Sequence, residues 1–358
     1  MDVTIIANIN KDDLAAKMTG VGRYSHYLVN QISASLYSTQ KNNKLLNIFQ
    51  KITGKDLNTF FATMPFYYPF KEFKKDNIVH LTTQTLAFPL VWQKPKNKVI
   101  VTVHDIIPFV SNNYHSIWEK IVYKIIMYGV KNADHLIVDS EHTKKDIITF
   151  LNIPELKITV VYLGIDLNKF NPDKRITKQN NTILYVGSEE KTKNLRTLFK
   201  AFADVKKQIH DARLIKVGLP MNTEVHKRLK SLAKDLQIEN DIVWKGYVEN
   251  LSDEYRRATV FVHPSFYEGF GFPVLEAMAC GCPVICSDKT SLPELARNAA
   301  IYFDGYDHRD LAKHIIYVLR NKNIQDKLIK KGLRNVHDFT WEKCIEKTKE
   351  VYEIYSQC

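Results

Sequence analysis

No uninterrupted apolar run in this 358-residue chain approaches the roughly 18–20 residues needed to cross a bilayer as a helix, so no membrane span is expected. The opening residues, Met1-Asp2-Val3-Thr4-Ile5-Ile6, lack the length and charged start of a signal peptide. They are expected to form the first strand of a soluble domain. Cysteine is scarce, five in all, with three clustered at Cys280, Cys282 and Cys286. No histidine follows at ligand spacing, which argues against a metal site. Small buried residues where a helix turns into a strand explain the cluster better, and a reducing cytoplasm fits such usage. The chain has no Asp-x-Asp pair of the kind that holds a divalent metal on a nucleotide diphosphate, no P-loop, and no serine in a nucleophile elbow. It also lacks the three-glycine dinucleotide fingerprint, zinc-finger spacing and an arginine-rich arm, as well as solenoid repeats, heptads and low-complexity stretches.

What is present is the composition of a globular protein. The chain is 45% apolar and 25% charged, close to norms of about 45–50% and about 25%, and its length suggests roughly two to three domains. Fifty-one Lys plus Arg against 39 Asp plus Glu give a net charge of +12. Anionic small substrates, an anionic membrane surface and nucleic acid are the partner classes such a balance admits. Because the basic residues are dispersed, nucleic acid ranks last and is not expected. Lys71, Lys74, Lys75, Lys94, Lys96 and Lys98 lie near Phe66, Tyr67, Tyr68, Phe70 and Phe73. This patch reads either as a solvated lysine-rich surface or as a peripheral contact with anionic lipid headgroups.

Short apolar runs alternate with helical patterns almost throughout, which argues for α/β architecture with parallel sheets covered by helices. Expected strands in the first half are 3–7, 78–81, 99–103, 135–138 and 159–162, with helices over 24–36, 117–130 and 141–150. Ser140 is placed to cap the last of these, and Asn152-Ile-Pro154 to stop it. The stretch 163–181, polar and broken by Gly164 and Pro172, reads as an interdomain linker. A second alternation follows, with strands at 182–186, 213–217, 242–245, 260–263 and 284–287. Its helices are expected at 195–209, 225–236, 253–258, 309–321, 324–339 and 341–355. Two doubly wound domains of similar size result, and ligands bind such sheets beyond the carboxyl ends of the strands, so a cleft between the domains is expected.

The richest stretch is His263-Pro-Ser-Phe-Tyr-Glu268-Gly-Phe-Gly-Phe-Pro-Val-Leu-Glu276. Glu268 opens a loop holding Gly269, Phe270 and Gly271, and Glu276 lies inside a short apolar helix. The spacing is expected to put one carboxylate and backbone N–H groups at a helix N-terminus, with the second carboxylate about two turns inward. Such N–H groups suit a phosphate, and carboxylates accept hydrogen bonds from sugar hydroxyls. His104-Asp105 follows the strand ending at Val103, where a histidine can sit on a cleft floor oriented by a neighbouring carboxylate or be a structural junction residue. Gly20-Val-Gly22-Arg23-Tyr24 offers glycines for close backbone approach and an arginine for a phosphate. Gly187-Ser188-Glu-Glu-Lys191-Thr-Lys193-Asn194 brings two lysines near a helix start, where an anion is favoured, although surface lysines would look the same.

Together these pieces resemble the retaining glycosyltransferases of family 4, with the GT-B fold of two facing Rossmann-like domains. The resemblance runs over nearly the whole chain. Glu268 and Glu276 match the family's Glu-x7-Glu signature, His104-Asp105 its His-Asp motif, and 187–194 its glycine-to-lysine-asparagine loop. It implies an acceptor-binding domain over 1–165, a nucleotide-sugar-binding domain over 182–340, and a final helix, 341–358, crossing back to the first domain. It also implies roles. Glu276 would hold the donor ribose, and Glu268 with Gly269, Phe270 and Gly271 would contact sugar and diphosphate. Lys193 would stabilise the departing diphosphate, and His104 would lie against the transferred sugar. Gly22, Arg23, Gly187 and Ser188 complete the expected donor site. Many relatives carry arginine where this chain has Ser188, which leaves Lys193 as the main cation. The implied reaction moves a hexose, with retained configuration and no metal or cofactor, from a nucleotide-diphosphate sugar to a surface-glycan or lipid-linked saccharide. GDP-mannose is the favoured donor. A UDP-hexose or UDP-N-acetylhexosamine transferase and a non-catalytic sugar-nucleotide or glycan-binding protein are the alternatives. The expected location is cytoplasmic, on or near the inner face of a membrane.

Overall fold

The structure, a computed structural model, describes residues 2–8, 19–39, 67–74, 77–111, 117–220 and 222–356. Phe66 and Lys75 of the basic patch lie outside the described residues. The chain divides into two compact units, Met1–Gly164 together with Trp341–Cys358, and Ile165–Thr340.

The first unit is built on a six-stranded parallel sheet. Its strands are β1 (Val3–Ala7), β2 (Ser35–Ser38), β3 (Ile78–Leu81), β4 (Lys98–Val103), β5 (His135–Val138) and β6 (Ile158–Val160), in the spatial order β2-β1-β3-β4-β5-β6. Runs such as Ile78-Val-His-Leu81 are buried along their whole length, as expected of parallel strands covered on both faces. The core gathers Val79, Val101, Leu136 and Val138 with Ile126 and Met127 of the helix Ile117–Lys131. Ser140 accepts from the Thr143 N–H as N-cap of Glu141–Leu151, and Asn152 ends that helix in the left-handed region at φ 53°. The last helix, Trp341–Ser356, belongs to this unit. Trp341 stacks on Tyr27 at 4.2 Å between ring centroids, and the Tyr352 hydroxyl meets His80 Nδ1 at 2.5 Å.

The second unit repeats the plan with β7 (Thr182–Val186), β8 (Arg213–Val217), β9 (Ile242–Lys245), β10 (Val260–His263), β11 (Val284–Ser287) and β12 (Ala300–Phe303), ordered β12-β11-β10-β7-β8-β9. Sheet order reverses between β7 and β10. That pair flanks the topological switch point, where open parallel sheets leave a crevice beyond the strand ends.

Several expected bounds shift. The helix placed at 24–36 is Gly20–Gln31, and Ser35–Ser38 is an edge strand. Ile32 already has extended backbone, so the apolar residue Leu36 serves the sheet and not the helix. The strand at 159–162 is Ile158–Val160, and the helix at 324–339 is Lys322–Asn335 followed by a 3-10 turn, Val336–Asp338. β12 and the short helices Ile107–Ser111 and Leu292–Ala296 were not foreseen. None of the described helices is long and apolar enough to cross a membrane.

Candidate active site

The loops that follow β7 and β10 carry Gly187, Ser188, Lys193 and Glu268, whereas Gly22, Arg23 and His104 belong to the first unit. β7 ends at Val186, and the chain turns through Gly187, whose N–H donates to Val217 O at 2.9 Å. This close passage explains Gly218 on the neighbouring strand: a Cβ there would lie 2.3 Å from Gly187 O. A 3-10 turn, Lys191–Lys193, then leads into the helix Leu195–Lys206. Asn194 joins the two in the left-handed region at φ 56°, and its side-chain amide donates to Pro264 O at 3.0 Å and Gly305 O at 2.8 Å. The loops after β7 and β10 are thereby tied together.

Across the crevice, β10 ends at His263, and the chain runs through Pro264 and Ser265 to Glu268. Lys193 Nζ lies 2.9 Å from both carboxylate oxygens of Glu268. His263 Nε2 is 2.8 Å from Glu268 Oε1. Burial alone would raise the Glu268 pKa, but the Lys193 ammonium and the His263 imidazole outweigh it and hold the carboxyl well below the usual range. The backbone of Glu268 is fixed too: its N–H donates to Thr290 Oγ1 at 3.1 Å, and its carbonyl accepts from Ser291 Oγ at 3.1 Å. Ser291 Oγ also donates to Phe270 O at 2.6 Å.

The following helix, Phe272–Ala279, starts four residues after Glu268, behind Gly271 at φ 118°. A side chain at Gly271 would be strained by that backbone and would meet Leu292 Cδ2 at 2.9 Å. Glu276 therefore sits about one turn into the helix, not two, and Glu268 belongs to the loop before it. Glu276 is fully buried and accepts from the Tyr255 hydroxyl at 2.9 Å. The Ser188 carbonyl accepts from Tyr185 OH at 2.6 Å. Behind the loop, Glu189 meets Lys216 Nζ at 2.7 Å and His226 Nδ1 at 2.9 Å, with the Glu189 and Lys216 side chains each 1% exposed. Burial lowers the Lys216 pKa against the pull of Glu189. A cavity of about 550 Å³ opens between this loop and the helix Thr223–Asp235, lined by Lys191, Arg196, Arg228 and Phe266 among others. Its charges are mixed, and neither Glu268 nor Glu276 lines it.

In the first unit, His104 follows β4. Its carboxylate partner is not the adjacent Asp105 but Asp139, just past β5, with Nδ1 to Oδ2 at 2.6 Å. Asp105 instead accepts from the Ile107 N–H at the start of a short helix. Gly22 and Arg23 lie within the first turn of the helix Gly20–Gln31 and not before it. The Gly22 N–H donates to Thr19 Oγ1 at 3.0 Å and the Arg23 N–H to Thr19 O at 2.9 Å, so these two donors are already engaged. Lys71, Lys94 and Lys96 gather with Tyr67, Phe70 and Phe73 around a cavity of about 600 Å³. Cys280, Cys282 and Cys286 are buried free thiols, and burial pushes Cys280 to about 12 and Cys282 to about 11.

Sequence reasoning passed over His263, Tyr255 and Asp139. His263 and Asp139 stand at or just past the carboxyl end of a strand beside a residue that had been singled out. Sheet order reveals the adjacency of Asp139 and His104, whereas His263 and Glu268 are five residues apart in one loop.

The comparisons with known proteins agree with this geometry. The profile described as Glycosyl transferases group 1 matches residues 167–335, and that described as Glycosyltransferase Family 4 matches residues 53–169. O-antigen chain mannosyltransferase B of Escherichia coli is 30% identical over 284 residues, which cover 72% of this chain and 70% of that protein. O-antigen chain mannosyltransferase RfbU of Salmonella typhimurium is 28% identical over 212 residues, 58% of this chain and 57% of its own. Among solved structures, sucrose-phosphate synthase from Thermosynechococcus elongatus superposes over all of both chains with a TM-score of 0.75 at 19% identity, a likeness of fold. Two parallel six-stranded units, a carboxylate-lysine crevice at the second switch point and these matches lead to one conclusion: the chain belongs to the family 4 glycosyltransferases and has the GT-B fold.

Proposed function

We propose that the chain is a retaining, metal-independent hexosyltransferase that takes its sugar from a nucleotide-diphosphate donor, GDP-mannose first among them, and passes it to a surface-glycan or lipid-linked saccharide acceptor. The observation that carries this reading is the Lys193–Glu268–His263 cluster at the β7–β10 switch point, with buried Glu276 on the adjoining helix. Lys193 supplies positive charge where a leaving diphosphate needs it. Glu276, held by Tyr255, accepts from ribose hydroxyls. Glu268 has both oxygens engaged by Lys193 and one by His263. A carboxylate so occupied is a weak nucleophile, which favours a binding role and front-face transfer over a covalent glycosyl intermediate. Mannose is favoured because both O-antigen relatives are named as mannosyltransferases. The lysine-rimmed aromatic cavity in the first unit supports cytoplasmic action against an anionic membrane surface.

A donor panel tests this. GDP, UDP, ADP and their sugars are screened by thermal shift, where a ligand at 100 times its Kd stabilises by about 2.7 kcal/mol. Turnover of the best donor is then followed in EDTA. Binding of GDP-mannose, slow hydrolysis unaffected by EDTA and first release of the α anomer of mannose are the expected result. A UDP-sugar preference overturns the donor, loss of turnover in EDTA the metal independence, and an inverted product the stereochemistry. Binding without any hydrolysis or transfer marks a sugar-nucleotide-binding protein.

A further inference from the structure

His104 is held at both ring nitrogens by groups that accept hydrogen bonds. Nδ1 faces Asp139 Oδ2 at 2.6 Å, and Nε2 faces the Thr82 carbonyl oxygen at 3.0 Å. A carbonyl oxygen cannot donate, and a carboxylate only accepts. A neutral ring carries one N–H, so against these two acceptors one nitrogen would point a lone pair at another lone pair. The doubly protonated ring satisfies both contacts. The pair is also sealed, His104 being 5% and Asp139 2% exposed. Among the described residues Asp139 Oδ1 has no hydrogen-bond partner, and the imidazolium is the group placed to balance this carboxylate. Strand register explains the meeting: Val103 of β4 pairs with Val138 of β5, which puts the next residue of each strand side by side.

The surrounding groups leave that charge in place. Tyr24, from the helix Gly20–Gln31, presents its ring edge-on at 5.2 Å between centroids, and burial pushes its hydroxyl up, so it stays neutral. Burial pushes His80 on β3 down to about 3, so it too is neutral. Cys344 of the last helix, near Asp139, is pushed up by burial. Asp105, next along the chain, adds negative charge that favours the cation. Burial alone would lower the His104 pKa, but Asp139 and the Thr82 carbonyl outweigh it and raise it above the usual value. Burial likewise pushes the Asp139 carboxyl up, partly offset by His104.

We propose that Asp139 is a positioning residue for glycosyl transfer: it fixes the His104 ring through Nδ1 and keeps it a cation, so that His104 acts as fixed charge and shape and not as a proton acceptor. This rests on the reading that places His104 at the reaction centre. A ring whose folded-state pKa is raised stays charged at and above its ordinary range, and the charge is lost as pH rises through the raised value. The rate should therefore fall on the alkaline side.

Asp139→Asn separates charge from position. Its amide can turn to donate to a bare Nδ1 while Nε2–H stays on Thr82 O, so a neutral ring keeps its place. In wild-type protein labelled at histidine, NMR should show His104 protonated on both nitrogens at pH 7. In Asp139→Asn it should be neutral, with kcat about tenfold lower at pH 8 and the alkaline limb moved at least about one unit toward acid, at little change in donor KM. Asp139→Ala, which frees the ring, should lose more. A wild-type ring protonated on Nε2 alone, with the shared proton on Asp139, overturns the proposal, as does an unchanged pH profile in Asp139→Asn. Should that variant fail to fold, the wild-type spectrum still decides. Full activity in His104→Ala would instead remove His104 from the reaction centre, whatever the NMR shows of its pairing.

Discussion

Lys193→Met is the most direct perturbation of the crevice, because it removes one charge and keeps the volume of the side chain. In the native protein the ammonium lies 2.9 Å from both oxygens of Glu268, with the Lys193 side chain 19% and that of Glu268 10% exposed. At an effective dielectric of about 20 the gross attraction is roughly 5–6 kcal/mol. The desolvation that both groups suffer cancels part of it, leaving about 3 kcal/mol, the low end of the cost of breaking a buried pair. Urea unfolding should show that loss at pH 7. Turnover at saturating donor should fall by about 10²–10³, as for one lost electrostatic stabiliser. The double variant Lys193→Met/Glu268→Gln should regain most of the stability, since no buried charge is left uncompensated, but not the turnover. Proton linkage adds a signature. Glu268 has a depressed folded pKa, so its stabilisation is complete above the unfolded value of about 4.3 and drains as pH falls through the folded one. The stability gap between wild type and Lys193→Met should therefore narrow below about pH 4. Near-normal turnover in the single variant, or turnover restored together with stability in the double, refutes the assignment of Lys193 as the leaving-group cation.

Tyr255→Phe removes a hydrogen bond to the buried Glu276 carboxylate. Such bonds contribute about 1.5–3 kcal/mol, and the loss should appear in calorimetry as nucleotide affinity weaker by about tenfold or more, with the kcat of bound donor little changed. Lys216→Met removes the ammonium bonded to buried Glu189 and should cost about 3–5 kcal/mol in chemical denaturation. Adding Glu189→Leu should recover much of it, because an apolar pair of similar volume replaces the ion pair.

The fold was legible wherever strands are buried on both faces. The 3–7, 78–81 and 182–186 runs were placed to the residue, because largely apolar character marks a central parallel strand. The edges were not. β2 carries Ser-Leu-Tyr-Ser with one exposed and three half-buried residues, and β12 carries Ala-Ile-Tyr-Phe with only Phe303 buried. In β2 the two serines break the apolar signal, and Leu36 then passed for the end of a helix. Lys193, Glu268 and Glu276 came from spacing within continuous segments. Asp139 needed the neighbour relation β4–β5, which no local pattern contains, whereas His263 lies five residues before Glu268 in the same segment and was given no role. Tyr255 needed the packing of the short helix Leu251–Arg257 against Phe272–Ala279.

Ser188, where the resemblance implies an arginine in many relatives, gains meaning from the way its loop is held. The Ser188 carbonyl is pinned by Tyr185 OH, Glu189 is drawn inward by Lys216 and His226, and Asn194 clamps Pro264 O and Gly305 O. Buried protein groups thus set the path of the loop. Restoring a guanidinium at position 188 should then add charge without reshaping the loop. Ser188 is half-buried, and a charge-assisted bond to phosphate contributes about 1.5–3 kcal/mol, partly offset by ordering the long side chain. Ser188→Arg should therefore tighten GDP binding by about tenfold in calorimetry, with a steeper salt dependence and no gain in kcat while Lys193 is present. In the Lys193→Met background the same change should recover part of the lost turnover. Weaker nucleotide binding in Ser188→Arg, or no recovery in the double variant, would show that the loop is shaped by its ligand after all, and that Lys193 contributes more than charge.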